Sequence, residues 1–249
     1  MCHDADSRPP GPPDPTSVAA SGPIRLTSDD GATFPAFAAE PTAPNGASVV
    51  LLPDVRGVHL FYRDLTVRFA EAGFAAVAID YYGRTAPSDE RDGDFDWESH
   101  LPRVQPQEVT ADVRAAASHL RARHRGAVFT VGFCFGGGQS WRLAAASELG
   151  LAGAIGFYGL PQPARDVAAD IGAPVLMLLA GADVATPQAE FDELAAQVTA
   201  AGAEVEMAVY PGAPHSFFDR SHTDWTEACD DAWRRILAFT TRHAAGNDS

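Results

Sequence analysis

Short apolar runs without polar alternation punctuate the chain: Ser48–Leu52, Ala75–Ile79, Val128–Val131, Ala154–Tyr158, Val175–Leu179 and Val205–Tyr210. Their length and β-branched content predict strands. Their lack of a polar face predicts cover on both sides, as in a parallel sheet flanked by helices. Between them the apolar spacing becomes helical, over Leu60–Ala72, Glu108–Arg123, Gln139–Leu149, Pro187–Ala201 and Trp225–Arg242. The last of these puts Trp225, Cys229, Trp233, Ile236 and Leu237 on one face. This alternation predicts an α/β fold, with a mostly parallel central sheet and helices on both faces. Thr33–Ala38 and Ile24–Leu26 predict an outlying antiparallel pair.

Two stretches break the rhythm. Met1 to Pro23 carries Pro9, Pro10, Pro12, Pro13, Pro15 and Pro23 among few large apolar side chains, which predicts a disordered tail over residues 1–23. No second linker follows, so residues 24–249 are expected to form one domain. The acidic stretch Gly83–Pro106 holds Asp89, Glu90, Asp92, Asp94, Asp96 and Glu98 around Phe95 and Trp97. A connection of that length is either a lid or a solvated loop pinned by its aromatics.

Of the 249 residues, 33 are acidic and 18 are Lys or Arg, a formal net charge of -15 that excludes general nucleic-acid binding. Cys2, Cys134 and Cys229 fit neither a disulfide framework nor a zinc site. They suit a reducing compartment. With no bilayer-spanning run and no basic-then-apolar leader, the chain is expected to be soluble and cytoplasmic, with no membrane partner.

The candidate chemistry centres on Val128-Phe-Thr-Val-Gly132-Phe133-Cys134-Phe135-Gly136-Gly137-Gly138, a strand running into Gly-x-Cys-x-Gly with a helical pattern after it. A strand–turn–helix elbow holds its central residue in a strained conformation, and flanking glycines remove the Cβ atoms that would clash. The thiol then sits at a helix N-terminus, where backbone N–H groups favour a thiolate and later an oxyanion. Gly-x-[Ser/Cys]-x-Gly arises by chance roughly 0.1 times in such a chain, so the junction position and the downstream partners carry the signal. A thiol needs a base, and the base an orienting acid. Asp183 follows the strand ending at Leu179, and His215 follows the strand ending at Tyr210. Both lie past carboxyl ends of strands, in the order nucleophile, acid, histidine. The plainer roles are a helix cap before Pro187 for Asp183 and a turn residue for His215. Cys229 reads as core, Cys2 as inert, His119 and His124 as surface residues, and His59 as a residue at the site mouth. No metal-ligand or dinucleotide-binding spacing is present, and no cofactor is expected.

On four segments the chain resembles the dienelactone hydrolase family of α/β-hydrolases over Ile24–His243. These are Leu52-Pro-Asp-Val-Arg-Gly-Val58, Ile79-Asp-Tyr-Tyr-Gly-Arg84, Gly132-Phe-Cys-Phe-Gly-Gly137, and the Asp183 and Pro211-Gly-Ala-Pro-His215 loops. The resemblance implies a Cys134–Asp183–His215 triad and an oxyanion hole from the backbone N–H groups of Val55 and Phe135. It places Asp54 where the family has a glutamate that pairs with the thiol in the empty enzyme, and Arg84 where an arginine holds a substrate carboxylate. Asp219 falls in the register of a second such arginine, with Arg220 one residue later. Arg56 is the candidate for supplying the missing positive charge.

The expectation is a cofactor-free hydrolase that cleaves a small lactone or ester, with or without a carboxylate, through a thioester acyl-enzyme. The chain would act as a monomer or homodimer. The rivals are a broader carboxylesterase or thioesterase, and a silent hydrolase-fold protein that binds a small metabolite.

Overall fold

The computed structural model describes residues 3, 6–93, 95–221 and 223–244. Apolar residues at alternate positions divide between the two faces of the central strands. In β3 (Ala47–Leu52), Val49 and Leu51 pack on one side with Phe61, Leu65 and Phe69 of α1 (Leu60–Glu71). Val50 and Leu52 pack on the other with Val109, Val113 and Leu120 of α3 (Pro106–Arg123). This period of two, with cover on both faces, is why the strands read as continuous apolar runs.

The remaining strands are β1 (Val18–Thr27), β2 (Thr33–Pro41), β4 (Ala75–Ile79), β5 (Ala127–Phe133), β6 (Gly153–Phe157), β7 (Val175–Ala180) and β8 (Val205–Tyr210). Among the described residues they form one eight-stranded sheet in the order β1-β2-β4-β3-β5-β6-β7-β8. β2 runs antiparallel to β1 and β4, and every other pairing is parallel. The carboxyl ends of β3, β5, β6, β7 and β8 therefore open on one edge.

Helix α4 (Phe135–Leu143) starts four residues earlier than the apolar pattern predicts, because its first turn is Gly136-Gly137-Gly138, which reads as a turn. A 3₁₀ turn, Ser147–Leu149, follows it. In α7 (Thr226–Ala244), Cys229, Trp233 and Ile236 are buried, and Trp225, in the turn before it, and Leu237 are partly so. Helices α2 (Trp97–His100), α5 (Gln162–Arg165) and α6 (Gln188–Ala200) complete the set.

The N-terminal segment differs from its expectation of disorder. Strand β1 begins at Val18 rather than Ile24, and Ser7, Pro9, Pro10 and Pro12 are buried. The Pro10 carbonyl accepts from the Trp233 indole (3.2 Å), Arg8 N–H donates to Asp219 (2.9 Å), and Arg220 N–H donates to Arg8 O (2.9 Å). Prolines have little backbone entropy to lose and no N–H to satisfy, so the segment docks with few hydrogen bonds. Cys2 and Asp94 lie outside the described residues.

The acidic stretch is folded as well. Arg91 is fully buried, bonds Asp80 through Nε and Nη2 (3.0 Å each at the shortest), and lies over the Phe95 ring at 4.5 Å. Asp92 accepts from Leu60 N–H and pairs with Arg63, which ties the stretch to the start of α1.

Candidate active site

Cys134 stands between β5 and α4 with φ 53° and ψ −117°, a left-handed conformation that costs a non-glycine residue about 1–3 kcal/mol. Its surroundings hold it there. A Cβ on Gly132 would lie 1.9 Å from the Gly136 carbonyl oxygen, and one on Gly136 would lie 2.1 Å from that of Leu52. Backbone bonds from Cys134 N–H to Phe157 O (3.0 Å) and from Gly136 N–H to Pro53 O (3.2 Å) lock the turn to β6 and to the β3–α1 loop.

Asp183 and His215 come from the neighbouring loops after β7 and β8. Gly181 N–H bonds Tyr210 O and Ala182 N–H bonds Ala213 O, both at 2.9 Å, which registers one loop against the other. His215 Nδ1 then meets Asp183 Oδ2 at 2.5 Å, while Asp183 Oδ1 accepts from Ala185 N–H. Asp183 does not cap α6, whose N-cap is Pro187. Burial alone would lower the His215 pKa. The hydrogen bond and charge of Cys134, followed by those of Asp183, outweigh burial and raise it above 6.5. The structure thus brings all three side chains together, with His215 between thiol and carboxylate. The Tyr158 ring, at the end of β6, lies 4.9 Å from the imidazole.

Val55 and Phe135 lie where the β3–α1 loop faces the elbow, and their N–H groups donate to no acceptor among the described residues. The loop is braced by Tyr81 O–H donating to Pro53 O (2.9 Å), Tyr82 O–H to Val55 O, and Val58 N–H to Asp80 Oδ2 (3.1 Å).

Three candidate substrate-binding or gating residues are each engaged by other groups of the protein. Arg84 pairs with Asp112 (2.7 Å) and Asp30 (2.6 Å), so its charge is spent bracing α3 and the β1–β2 turn. The Arg56 guanidinium donates to the His3 carbonyl, satisfying the backbone of the N-terminal segment. Asp54 is fully buried, accepts from Arg56 N–H (2.8 Å) and faces His59 at 3.6 Å; no hydrogen bond joins it to the thiol. Its shorter side chain is taken up by its own turn. His59 is buried behind Asp54 rather than at the mouth. His119 and His124 are partly buried and lie against Arg123 and Glu40.

Sequence reasoning missed His3. It is buried, stacks on Phe61 at 3.6 Å, bonds the Tyr158 hydroxyl through Nε2 (3.1 Å) and faces Asp219 at 3.5 Å. The missed signal is a histidine with prolines six and seven residues later, in a segment read as solvent. Glu204, Glu206 and His243 also converge between β8 and α7, with the Arg242 guanidinium paired to both glutamates.

This sheet order, with a sharp strand–turn–helix elbow after β5 and loops carrying Asp183 and His215 after β7 and β8, is the α/β-hydrolase fold. The chain belongs to the dienelactone hydrolase family, whose profile matches residues 34–244. A protein of Salmonella typhi named "Putative carboxymethylenebutenolidase" is 32% identical over 242 residues, covering 90% of this chain and 88% of its own. The crystal structure of a "Putative Dienelactone Hydrolase" from Klebsiella pneumoniae superposes with a TM-score of 0.74 at 30% identity, over 89% of this chain and 99% of that one. Brefeldin A esterase shares the fold at 14% identity, with a TM-score of 0.67 over 94% of this chain and 79% of its own. No helix among the described residues is long and apolar enough to cross a membrane.

Proposed function

We propose that the protein hydrolyses a small, uncharged ester or lactone through a Cys134–His215–Asp183 triad. The observation that carries this reading is the strained Cys134 beside an imidazole whose far nitrogen is 2.5 Å from Asp183. His215 takes the thiol proton, and the thiolate attacks the acyl carbonyl. The resulting oxyanion is received by Val55 and Phe135 N–H, each donor worth about 2.7–4 kcal/mol on the barrier. His215 then protonates the departing alkoxide, the thioester forms, and water deprotonated by His215 releases the acid and restores the thiol. Asp183 fixes the tautomer that leaves Nε2 toward the sulfur. The names of the relatives support a lactone or ester, and the engagement of Arg84 and Arg56 with the protein itself favours an uncharged acyl group over a carboxylate-bearing one.

The test is turnover of a panel of p-nitrophenyl esters, enol lactones and acyl-thioesters. Wild type is expected to show a burst of one leaving group per Cys134, and Cys134→Ala none. Wild-type turnover by Cys134→Ala would overturn the assignment.

A further inference from the structure

Bonds to Asp183 at one end of the His215 imidazole and to Cys134 at the other leave the ring free to tilt about the line joining them. What bounds the ring is Tyr158, whose centroid lies 4.9 Å from the imidazole and 5.7 Å from Phe217 on the same loop. Tyr158 is buried directly after β6, with φ 36°, a left-handed conformation that a residue with a side chain keeps only where its neighbours fix it. Its hydroxyl meets His3 Nε2 at 3.1 Å, across 155 residues of sequence. His3 is in turn a fixed post. Its ring is buried, stacks on Phe61 of α1 at 3.6 Å and faces Asp219 Oδ2 at 3.5 Å, and its carbonyl accepts from the Arg56 guanidinium. The chain that follows is pinned by Arg8 to Asp219 and Arg220, and by Pro10 to Trp233. Burial lowers the His3 pKa, so the ring steadies Tyr158 without setting a second positive charge near the imidazolium that forms on His215.

We infer that His3 is a positioning residue for catalysis: it tethers the Tyr158 hydroxyl, and the Tyr158 ring fixes the tilt of the His215 imidazole between thiol and carboxylate. This role rests on the triad proposed above. Proton transfer needs the base aligned and within hydrogen-bond reach, and a misplacement of about 1 Å costs on the order of 10²-fold. Without the tether, Tyr158 and the imidazole tilt together. The imidazolium–thiolate pair weakens, and the Cys134 thiol ionises at higher pH. Because the His3 carbonyl also holds Arg56, next to Val55, the same residue registers the loop carrying the expected oxyanion donor.

The test is the pH profile of iodoacetamide alkylation at Cys134, read by peptide mass mapping in full-length wild type, His3→Ala, His3→Gln and Tyr158→Phe, with Cys229 as internal reference. Wild-type Cys134 is expected to react at least about tenfold faster than Cys229 at pH 7. His3→Ala and Tyr158→Phe are each expected to slow Cys134 at pH 7 by about threefold or more and to move its profile up by about half a pH unit. Their double variant is expected to lose no more than the stronger single one, because both changes cut the same link. His3→Gln, whose side-chain amide can take the place of Nε2, is expected to return to within about twofold of wild type. On an activated ester, kcat is expected to fall by a similar factor while KM stays within about twofold. Tyr158→Phe keeps the ring and removes only the hydroxyl, so it carries the test if the alanine variant does not fold. A Tyr158→Phe profile that superposes on wild type, or a His3→Gln variant as slow as His3→Ala, overturns the inference while the triad stands. Wild-type Cys134 no faster than Cys229 overturns the triad and the inference together.

Discussion

Replacing Arg91 by methionine removes the cation from the buried pair that holds the β3–α1 loop. Arg91 makes three contacts to Asp80 at 3.0–3.2 Å and donates to Ser88 O (2.6 Å) and Glu90 O (2.8 Å). Methionine fills most of the volume, so the loss is electrostatic rather than a cavity. Asp80 would be left buried with only its bonds from Val58 and Tyr82 N–H. Breaking one side of such a pair costs about 3–5 kcal/mol. For a chain of this size each kcal/mol moves the melting temperature by about 2–4 °C, so a fall of roughly 6–20 °C is expected. Urea unfolding of wild type, Arg91→Met, Asp80→Asn and the double variant gives the coupling directly. Removing both charges is expected to recover part of the loss, because no bare carboxylate remains. Relaxation of Asp80 also frees Val58 N–H, so kcat is expected to fall more than KM changes as Val55 drifts from the thiol. A loss below about 1 kcal/mol, or strictly additive single effects, would refute the reasoning that this pair organises the loop.

Gly136→Ala is expected to yield protein without a stable elbow, seen as loss of the cooperative unfolding transition, since its Cβ would sit 2.1 Å from backbone oxygen. Asp183→Asn is expected to lower kcat by about 10²–10⁴-fold, because His215 loses both its orienting partner and the tautomer it needs, measured on an activated ester. Asp219 has a depressed folded-state pKa, so its stabilisation is present above the unfolded value of 3.8 and lost as pH falls through the folded one. Asp219→Asn is accordingly expected to be less stable than wild type at pH 7, with the gap narrowing toward pH 3 in urea titrations. Burial pushes the Cys229 thiol up to about 12, so iodoacetamide at pH 8 is expected to label Cys134 and leave Cys229 unmodified, as read by peptide mass mapping.

The sheet was legible because its strands are short, apolar and covered on both faces, which leaves little doubt about Val49–Leu52 or Val175–Leu179. The elbow was legible for a local reason: backbone crowding at Gly132 and Gly136 admits only glycine, and that requirement is written in adjacent residues. Asp183 and His215 could be placed because both follow strands of the same sheet edge. The binding residues were less legible, since a cation in a loop does not reveal its partner. Arg84 meets Asp30 and Asp112 from elements 54 and 28 residues away, and Arg91 is buried by a fold-level bend of an acidic stretch. The N-terminal segment was misread for a related reason. Composition argues against order by counting large apolar side chains, yet Pro9, Pro10 and Pro12 are buried, with the Pro10 carbonyl held by the Trp233 indole of α7.

The most direct measurement of the central claim is intact mass spectrometry of the protein quenched during turnover of a slowly deacylating p-nitrophenyl ester, followed by peptide mapping. The account requires one acyl group in thioester linkage on Cys134, stable in acid and released by hydroxylamine. Turnover with no acyl adduct, or with the adduct on any other residue, would contradict it.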